Sequence, residues 1–181
     1  LDCGIHPAKQ GVDLLPVIDL HVSELPLVDV ILITHFHLDH AAGLPWFISK
    51  FKDFKGKILM TAPTKTFFRI VTSDYIKISA EKPYGEKEIE EAMEKIECIN
   101  YHQVIEYNGI EITCYNAGHV LGAAMFSITI NGMKLLYTGD FSIEPDRLLC
   151  GAEVPQQQHD ILIVESTYGT NKHEERRRRF N

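Results

Sequence analysis

The sequence predicts a layered α/β fold whose sheets are covered by helices. Three observations carry this. Short continuous apolar runs read as strands buried on both faces. Two Asn-Gly pairs sit between strand-like runs, where they favour hairpins. Amphipathic helical segments are mixed with both kinds of strand. The 181 residues are 45% hydrophobic, with 12 glycines and 8 prolines. That composition suits one globular domain, or most of one, with enough apolar side chains for a core.

"LDCG" (1–4) reads as the end of a strand followed by a turn. Because the first residue is Leu1 and not Met, earlier strands are expected outside this chain. "VDVILIT" (28–34) is a continuous apolar run typical of a buried strand. "AAGLPWFISKF" (41–51) predicts a short helix with Pro45 in its first turn. "KILMT" (57–61) is another buried strand. The segment 64–79 has apolar residues at helical spacing and Thr64 as its N-cap. Residues 84–98 form a second helix, with Ile89, Met93 and Ile96 on one face and a solvated acidic surface elsewhere. "VIEY-NG-IEITCY" and "FSITI-NG-MKLLY" predict two hairpins, turning at 108–109 and 131–132, because Asn-Gly tolerates positive φ. "DILIVEST" (160–167) is one more buried strand. The tail from 171 reads as helical, and its run Arg176–Arg179 as a solvated face.

The formal net charge is −7 with a pI near 5.7. A basic nucleic-acid footprint is therefore missing. A nuclease is still open, because bound dications can supply positive charge where a phosphate sits. No apolar run approaches the roughly 20 residues of a membrane helix, and the start carries no signal-peptide pattern. Cys3, Cys98, Cys114 and Cys150 are far apart in sequence. They form no C-x-x-C pair and read as small buried hydrophobes in a reducing compartment.

The chemistry concentrates in "ILITHFHLDHAAG" (31–43). A buried strand ends and His35, His37, Asp39 and His40 follow within six residues. Residues two apart in extended chain point the same way, so His35 and His37 can reach one metal. Asp39 and His40 continue into the next turn and can serve a neighbouring spot. Two nitrogens for one ion, and a carboxylate with a nitrogen for another, suit zinc. H-x-H-x-D-H is far more specific than any single ligand pair, which sets it apart from polar residues that merely cap a helix. His119 in "NAGHVLG" and Asp140 in "YTGD" lie at strand ends, where such a site would gather further ligands. Alone, each reads more simply as a loop histidine or a capping aspartate.

Asp2, then His35, His37, Asp39 and His40, then His119, then Asp140, in this order, resemble the four motifs of the metallo-β-lactamase superfamily. "HFHLDHAAGLPWF", "AGHVLGAAMF", "LLYTGDFS" and "ILIVESTYGT" resemble its β-CASP nuclease branch. "LDCGIHP" with "DLLPVIDL" resembles the branch members that process pre-mRNA 3′ ends, with Integrator-type RNA endonucleases as the close competitor. The resemblance implies a partial αβ/βα sandwich over 1–169, with a β-CASP insertion beginning at 170–181. It implies that His35, His37 and His119 bind a first zinc, that Asp39 and His40 bind a second, and that Asp140 bridges both. Asp2 would orient the ligand loop and not bind metal. A hydroxide shared by the two zincs would attack the scissile phosphate, making Asp39, Asp140 and Glu165 part of the catalytic machinery. Glu165 would position a later histidine that protonates the leaving oxygen. That histidine, and one that completes the second zinc's ligands, belong to motifs beyond this chain, so the fragment alone would be inactive.

The implied function is a nuclear, zinc-dependent endoribonuclease that cuts single-stranded pre-mRNA before polyadenylation, working with other subunits of a processing complex. Two other classes were weighed. Small-molecule hydrolases of the same fold lack the segment that "ESTYGT" opens. Inactive scaffold relatives lose metal ligands, whereas this sequence keeps every ligand it is long enough to show. His6, His21, His102, His159 and His173 lack the motif context and read as surface or loop residues.

Overall fold

A computed structural model describes residues 1–170 apart from Pro7, Gln10, Leu20, Val22, Ser23, Leu25 and Pro26. The helix expected from 171, the Arg176–Arg179 run, His173 and nearly all of the insertion expected over 170–181 lie outside the described residues. Among the described residues, eight strands form two sheets. The first sheet is parallel, in the order β1 (Val30–Leu32), β2 (Lys57–Met60), β3 (Ile96–Cys98). The second runs in sequence order through β4 (Val104–Tyr107), β5 (Ile110–Asn116), β6 (Ala124–Ile130), β7 (Met133–Tyr137) and β8 (Ile161–Ile163). It is antiparallel up to β7, and β8 joins it in parallel.

Side-chain alternation explains the layering. Ile31, Ile33, Ile58 and Met60 face the helices, where they pack with Leu44, Phe47 and Phe68. Leu32 and Leu59 point the other way and pack against Ile112, Cys114, Ala124 and Phe126 of the second sheet. The result is three layers, helix on sheet on sheet, with apolar seams on both faces of the first sheet. The helices are α1 (Leu38–Ala41), α2 (Leu44–Lys50), α3 (Ala62–Ile78) and α4 (Glu86–Lys95). The expectation that helices cover the sheets holds for the first. Around Met125 the outer face of the second packs against loop residues such as Phe141 and Ala152.

Both hairpins turn where expected. Asn108, Gly109, Asn131 and Gly132 all have positive φ, and the flanking pairs Tyr107–Ile110 and Ile130–Met133 close two-residue loops. Other expectations need correction. The N-cap of α3 is Thr61, not Thr64: Thr61 is extended and its hydroxyl accepts from the Thr64 N–H at 3.3 Å. Pro63, which has no N–H to offer, then falls in the first turn. The helix over 84–98 stops at Lys95, because Ile96–Cys98 pairs in parallel with β2. Tertiary pairing overrides helical periodicity there, and β-branched Ile96 favours it. The segment 41–51 splits: Ala41 ends α1, and α2 starts after Gly43 with Pro45 in its first turn. β8 is exposed along its length and not buried, since it is the edge of its sheet. Cys3 and Cys114 are buried as expected, but Cys98 and Cys150 are exposed.

The sandwich brings four loops to one end. Asp2 N–H bonds Leu32 O at 2.8 Å, beside the end of β1, and Ala124 N–H bonds Thr34 O at 2.9 Å. Ser142 N–H, after β7, bonds Ala117 O, after β5, at 2.9 Å. Phe126 lies fully buried in the seam between the sheets. Phe126→Ala is expected to destabilise the fold by about 3–5 kcal/mol. Ile78→Ala, at an exposed position ending α3, should stay within about 0.5 kcal/mol. Urea unfolding of the two variants measures both.

Candidate metal centre

β1 delivers its chain directly into the centre. Past Leu32, Ile33 N–H still bonds Leu59 O at 3.0 Å, so the backbone stays extended through Thr34 and His35. His35 and His37 then turn their rings to the same side, with centroids 4.6 Å apart. His37 occupies the N-cap position of α1, which carries Asp39 and His40 one turn further on. His119 arrives from the β5–β6 connection with φ at +52°. That left-handed conformation is strained for a residue with a Cβ. Asp140 follows Gly139, whose φ is +54° and whose added Cβ would lie 2.7 Å from Thr34 Cβ. Only glycine allows β7's end to press against the His35 loop.

The donor atoms converge. His35 Nε2 is 2.9 Å from His37 Nδ1, and His119 Nε2 is 3.3 Å from the same His37 atom. Asp140 Oδ2 lies 3.6 Å from His119 Nε2 and 3.9 Å from His35 Nε2. A tetrahedral zinc with nitrogens at about 2.0–2.1 Å separates neighbouring donors by about 3.3 Å, and these spacings bracket that value. A proton on His37 Nδ1 could serve only one of its two histidine neighbours. A cation satisfies all four donors together, so the set fits a metal.

Asp140 also faces the other way. Its Oδ1 is 3.4 Å from His40 Nε2, which in turn is 3.8 Å from Asp39 Oδ2. The two oxygens of one carboxylate are thus divided between two groups of donors. His40, Asp39 and Asp140 make a thinner set than the first, and Asp39 is exposed. Asp2 stands behind His40, with Oδ2 at 2.8 Å from His40 Nδ1. Its carboxylate also accepts from the Thr34 N–H, the Thr34 hydroxyl and the Tyr137 hydroxyl. Three of these four donors fall on Oδ2, the oxygen beside His40, so that oxygen is fully used by the protein. Glu165 is half-buried beside the Asp140 loop, and its Oε1 accepts from Phe141 N–H at 3.1 Å.

All six ligand candidates, with Asp2 and Glu165 at the margins, therefore lie at one end of the sandwich. Sequence reasoning missed Thr34, Tyr137 and Gly139. Thr34 directly precedes His35 and Gly139 directly precedes Asp140, so adjacency alone could have raised those two. Tyr137 is 135 positions from Asp2, and no local signal joins them. His102 and His159 stand apart, paired with Glu153 and with Ser127 and Gln157.

Comparison with known proteins bears on the same residues. The metallo-beta-lactamase superfamily domain matches residues 1–167. The chain is 52% identical over 185 residues to cleavage and polyadenylation specificity factor 73 of Drosophila melanogaster, covering 100% of this chain and 27% of that protein. It is 50% identical over 187 residues to cleavage and polyadenylation specificity factor subunit 3 of Dictyostelium discoideum, covering 99% and 24%. It is 46% identical over 190 residues to endoribonuclease YSH1 of Kluyveromyces lactis, covering 99% and 24%. The chain spans about a quarter of the length of these curated relatives. Among solved structures, a protein of unknown function from Enterococcus faecalis V583 matches with a TM-score of 0.50 at 17% identity, over 78% of this chain and 37% of that one. That likeness concerns the fold alone.

The electrostatics of the metal-free centre set a pH dependence. Burial, reinforced by His40, His37 and His119, pushes His35 from 6.5 down to about 2. Burial also lowers His37. His40 is the opposite case: burial opposes its charge, but the hydrogen bond and charge of Asp2, with Asp140 and Asp39, raise it overall. Between about 2 and 6.5 the unfolded chain binds a proton at His35 that the folded chain refuses. Stability from His35 is therefore present above 6.5 and lost as pH falls toward 2. His40 contributes below 6.5 and loses its contribution as pH rises through its elevated folded value. The metal-free urea midpoint is expected to drop from pH 7 to pH 5. His35→Asn should make that slope shallower, and an equal slope in both proteins would contradict the assignment.

Proposed function

The chain belongs to the metallo-β-lactamase superfamily, and from that premise we propose that it is the metal-binding part of a zinc-dependent endoribonuclease that cuts pre-mRNA at its 3′ end before polyadenylation. The observation that carries the reading is the divided Asp140 carboxylate, with one oxygen toward His35 and His119 and the other toward His40. The names of the relatives at about half identity, two cleavage and polyadenylation factors and an endoribonuclease, support it.

In this reading His35, His37 and His119 would hold one zinc, Asp39 and His40 would hold a second, and Asp140 would be shared between the two. When bound, such an ion pair supplies positive charge to a scissile phosphate and makes water nucleophilic near neutral pH. The chain's own residues do the rest of the positioning. Burial of His35 keeps its imidazole neutral, so its lone pair is not lost to a proton. Asp2 holds His40 by Nδ1 and leaves Nε2 facing Asp140. Glu165 braces the backbone after Asp140 through Phe141 N–H and, in this proposal, positions a histidine from elsewhere in the longer protein that protonates the leaving oxygen.

We assign residues 1–169 to the metallo-β-lactamase core and 170–181 to the start of a β-CASP insertion. The substrate is single-stranded pre-mRNA, the partners are other subunits of a 3′-end processing complex, and the site of action is the nucleus. A net charge of −7 agrees with partner subunits selecting the cleavage point, since the chain brings little phosphate-binding charge of its own. No helix among the described residues is long and apolar enough to cross a membrane.

The test uses the longer protein. His37→Ala and Asp39→Ala should each remove several kcal/mol of transition-state stabilisation, about 10³-fold or more in cleavage of single-stranded RNA. Retained cutting in both variants would sink the metal mechanism.

A further inference from the structure

Asp2 is the most heavily used acceptor at the centre. Its Oδ1 accepts from Thr34 N–H at 2.7 Å, and its Oδ2 accepts from Tyr137 O–H at 2.7 Å, Thr34 Oγ1–H at 2.9 Å and His40 Nδ1 at 2.8 Å. A carboxylate can only accept, so the protons in all four bonds belong to the partners. Two consequences follow. His40 carries a proton on Nδ1, so in the neutral ring it is the Nε2 lone pair that faces Asp140. Thr34 has spent its one hydroxyl proton on Asp2, so at 3.0 Å it can only accept from His35 Nδ1. His35 therefore carries its proton on Nδ1 and turns the Nε2 lone pair toward His37, His119 and Asp140. One carboxylate orients one ring directly and the other through a hydroxyl.

The hub needs holding. Asp2 has φ at +50°, a strained backbone for a residue with a side chain. Three contacts keep it there: its N–H on Leu32 O, the double contact with Thr34, and Tyr137 at the end of β7. Tyr137 reaches Asp2 from the second sheet, whereas Thr34 continues β1 of the first. The hub is thus pinned by both sheets.

We propose that Thr34 and Tyr137 are positioning residues of the Asp2 hub, Thr34 relaying Asp2 to His35 Nδ1 and Tyr137 holding Asp2 in place, which together fix which ring nitrogen of His35 and of His40 faces the metal positions, so that a single carboxylate couples the two positions. The inference rests on the metal-centre reading but not on the choice of RNA as substrate. Outer partners of this kind are worth about 10–100-fold in metal affinity.

The test reads the histidine tautomers in the metal-free full chain by ¹⁵N imidazole shifts, alongside zinc affinity. At alkaline pH, where both rings are neutral, the unsubstituted chain should show His35 and His40 both protonated at Nδ1 and bare at Nε2. Thr34→Val removes the hydroxyl and keeps the shape. It should give mixed tautomers at His35 alone and weaken zinc about 10–100-fold, and Thr34→Ser should restore both. Tyr137→Phe frees Asp2 and should mix the tautomers at His35 and His40 together. Should Thr34→Val fail to fold by circular dichroism, Tyr137→Phe carries the test. Unchanged tautomers in a folded Tyr137→Phe or Thr34→Val chain would overturn the proposal, as would unaltered zinc binding by Thr34→Val. Neither readout involves RNA, so a chain that shows the expected tautomers but belongs to a protein that cuts no RNA defeats the proposed function and not this inference.

Discussion

Four donor atoms are held close together at this centre, and no single proton on one of them serves the other three. His35 Nε2, His37 Nδ1, His119 Nε2 and Asp140 Oδ2 face one another, with neighbouring atoms 2.9 to 3.9 Å apart and all of the set within 4.8 Å. Left free in water these groups would turn apart. They stay because three separate loops of a two-sheet frame carry them, His35 and His37 on one, His119 and Asp140 on the others, and the frame's seams are apolar and buried. Folding therefore does work against the site's own electrostatics, and a cation returns it. The pattern of burial fits this. His35, the deepest ligand, is fully buried and strongly disfavoured as imidazolium, while Asp39 at the mouth is exposed.

Two of the left-handed residues among those described belong to the same place. Five residues other than glycine have positive φ: Asn108 and Asn131 serve hairpins, His102 lies in a turn, and Asp2 and His119 belong to the centre. The first two are positions where asparagine adopts the conformation readily. The conformations of Asp2 and His119 persist because surrounding bonds fix them, and each conformation aims a side chain at the centre. Gly139 extends the logic. By bringing the end of β7 against Thr34, it places both Asp140 and Tyr137 within reach of groups supplied by the first sheet.

How much of this was legible beforehand depends on whether the determinant was local. The histidine cluster after an apolar run, the Asn-Gly turns and the acidic, amphipathic helix are local patterns, and the structure contains each of them. Boundaries were less legible. Ile96–Cys98 reads as the end of a helix until β2 is there to pair with it, and Thr64 reads as a cap until the helix is seen to begin at Ala62. The exposure of β8 and of Cys98 and Cys150 depends on which elements pack above them, which periodicity does not report. The roles of Thr34 and Tyr137 were invisible for a further reason. Thr34 and Tyr137 meet at Asp2, and the Tyr137 contact exists only once both sheets are assembled.

The most direct measurement is anomalous X-ray diffraction at the zinc edge from crystals of this chain grown with zinc. Density is expected among His35 Nε2, His37 Nδ1, His119 Nε2 and Asp140 Oδ2, with the Asp2 carboxylate free of metal. Zinc-replete crystals with that tetrad empty, or with zinc bound to Asp2, would contradict the assignment of this centre.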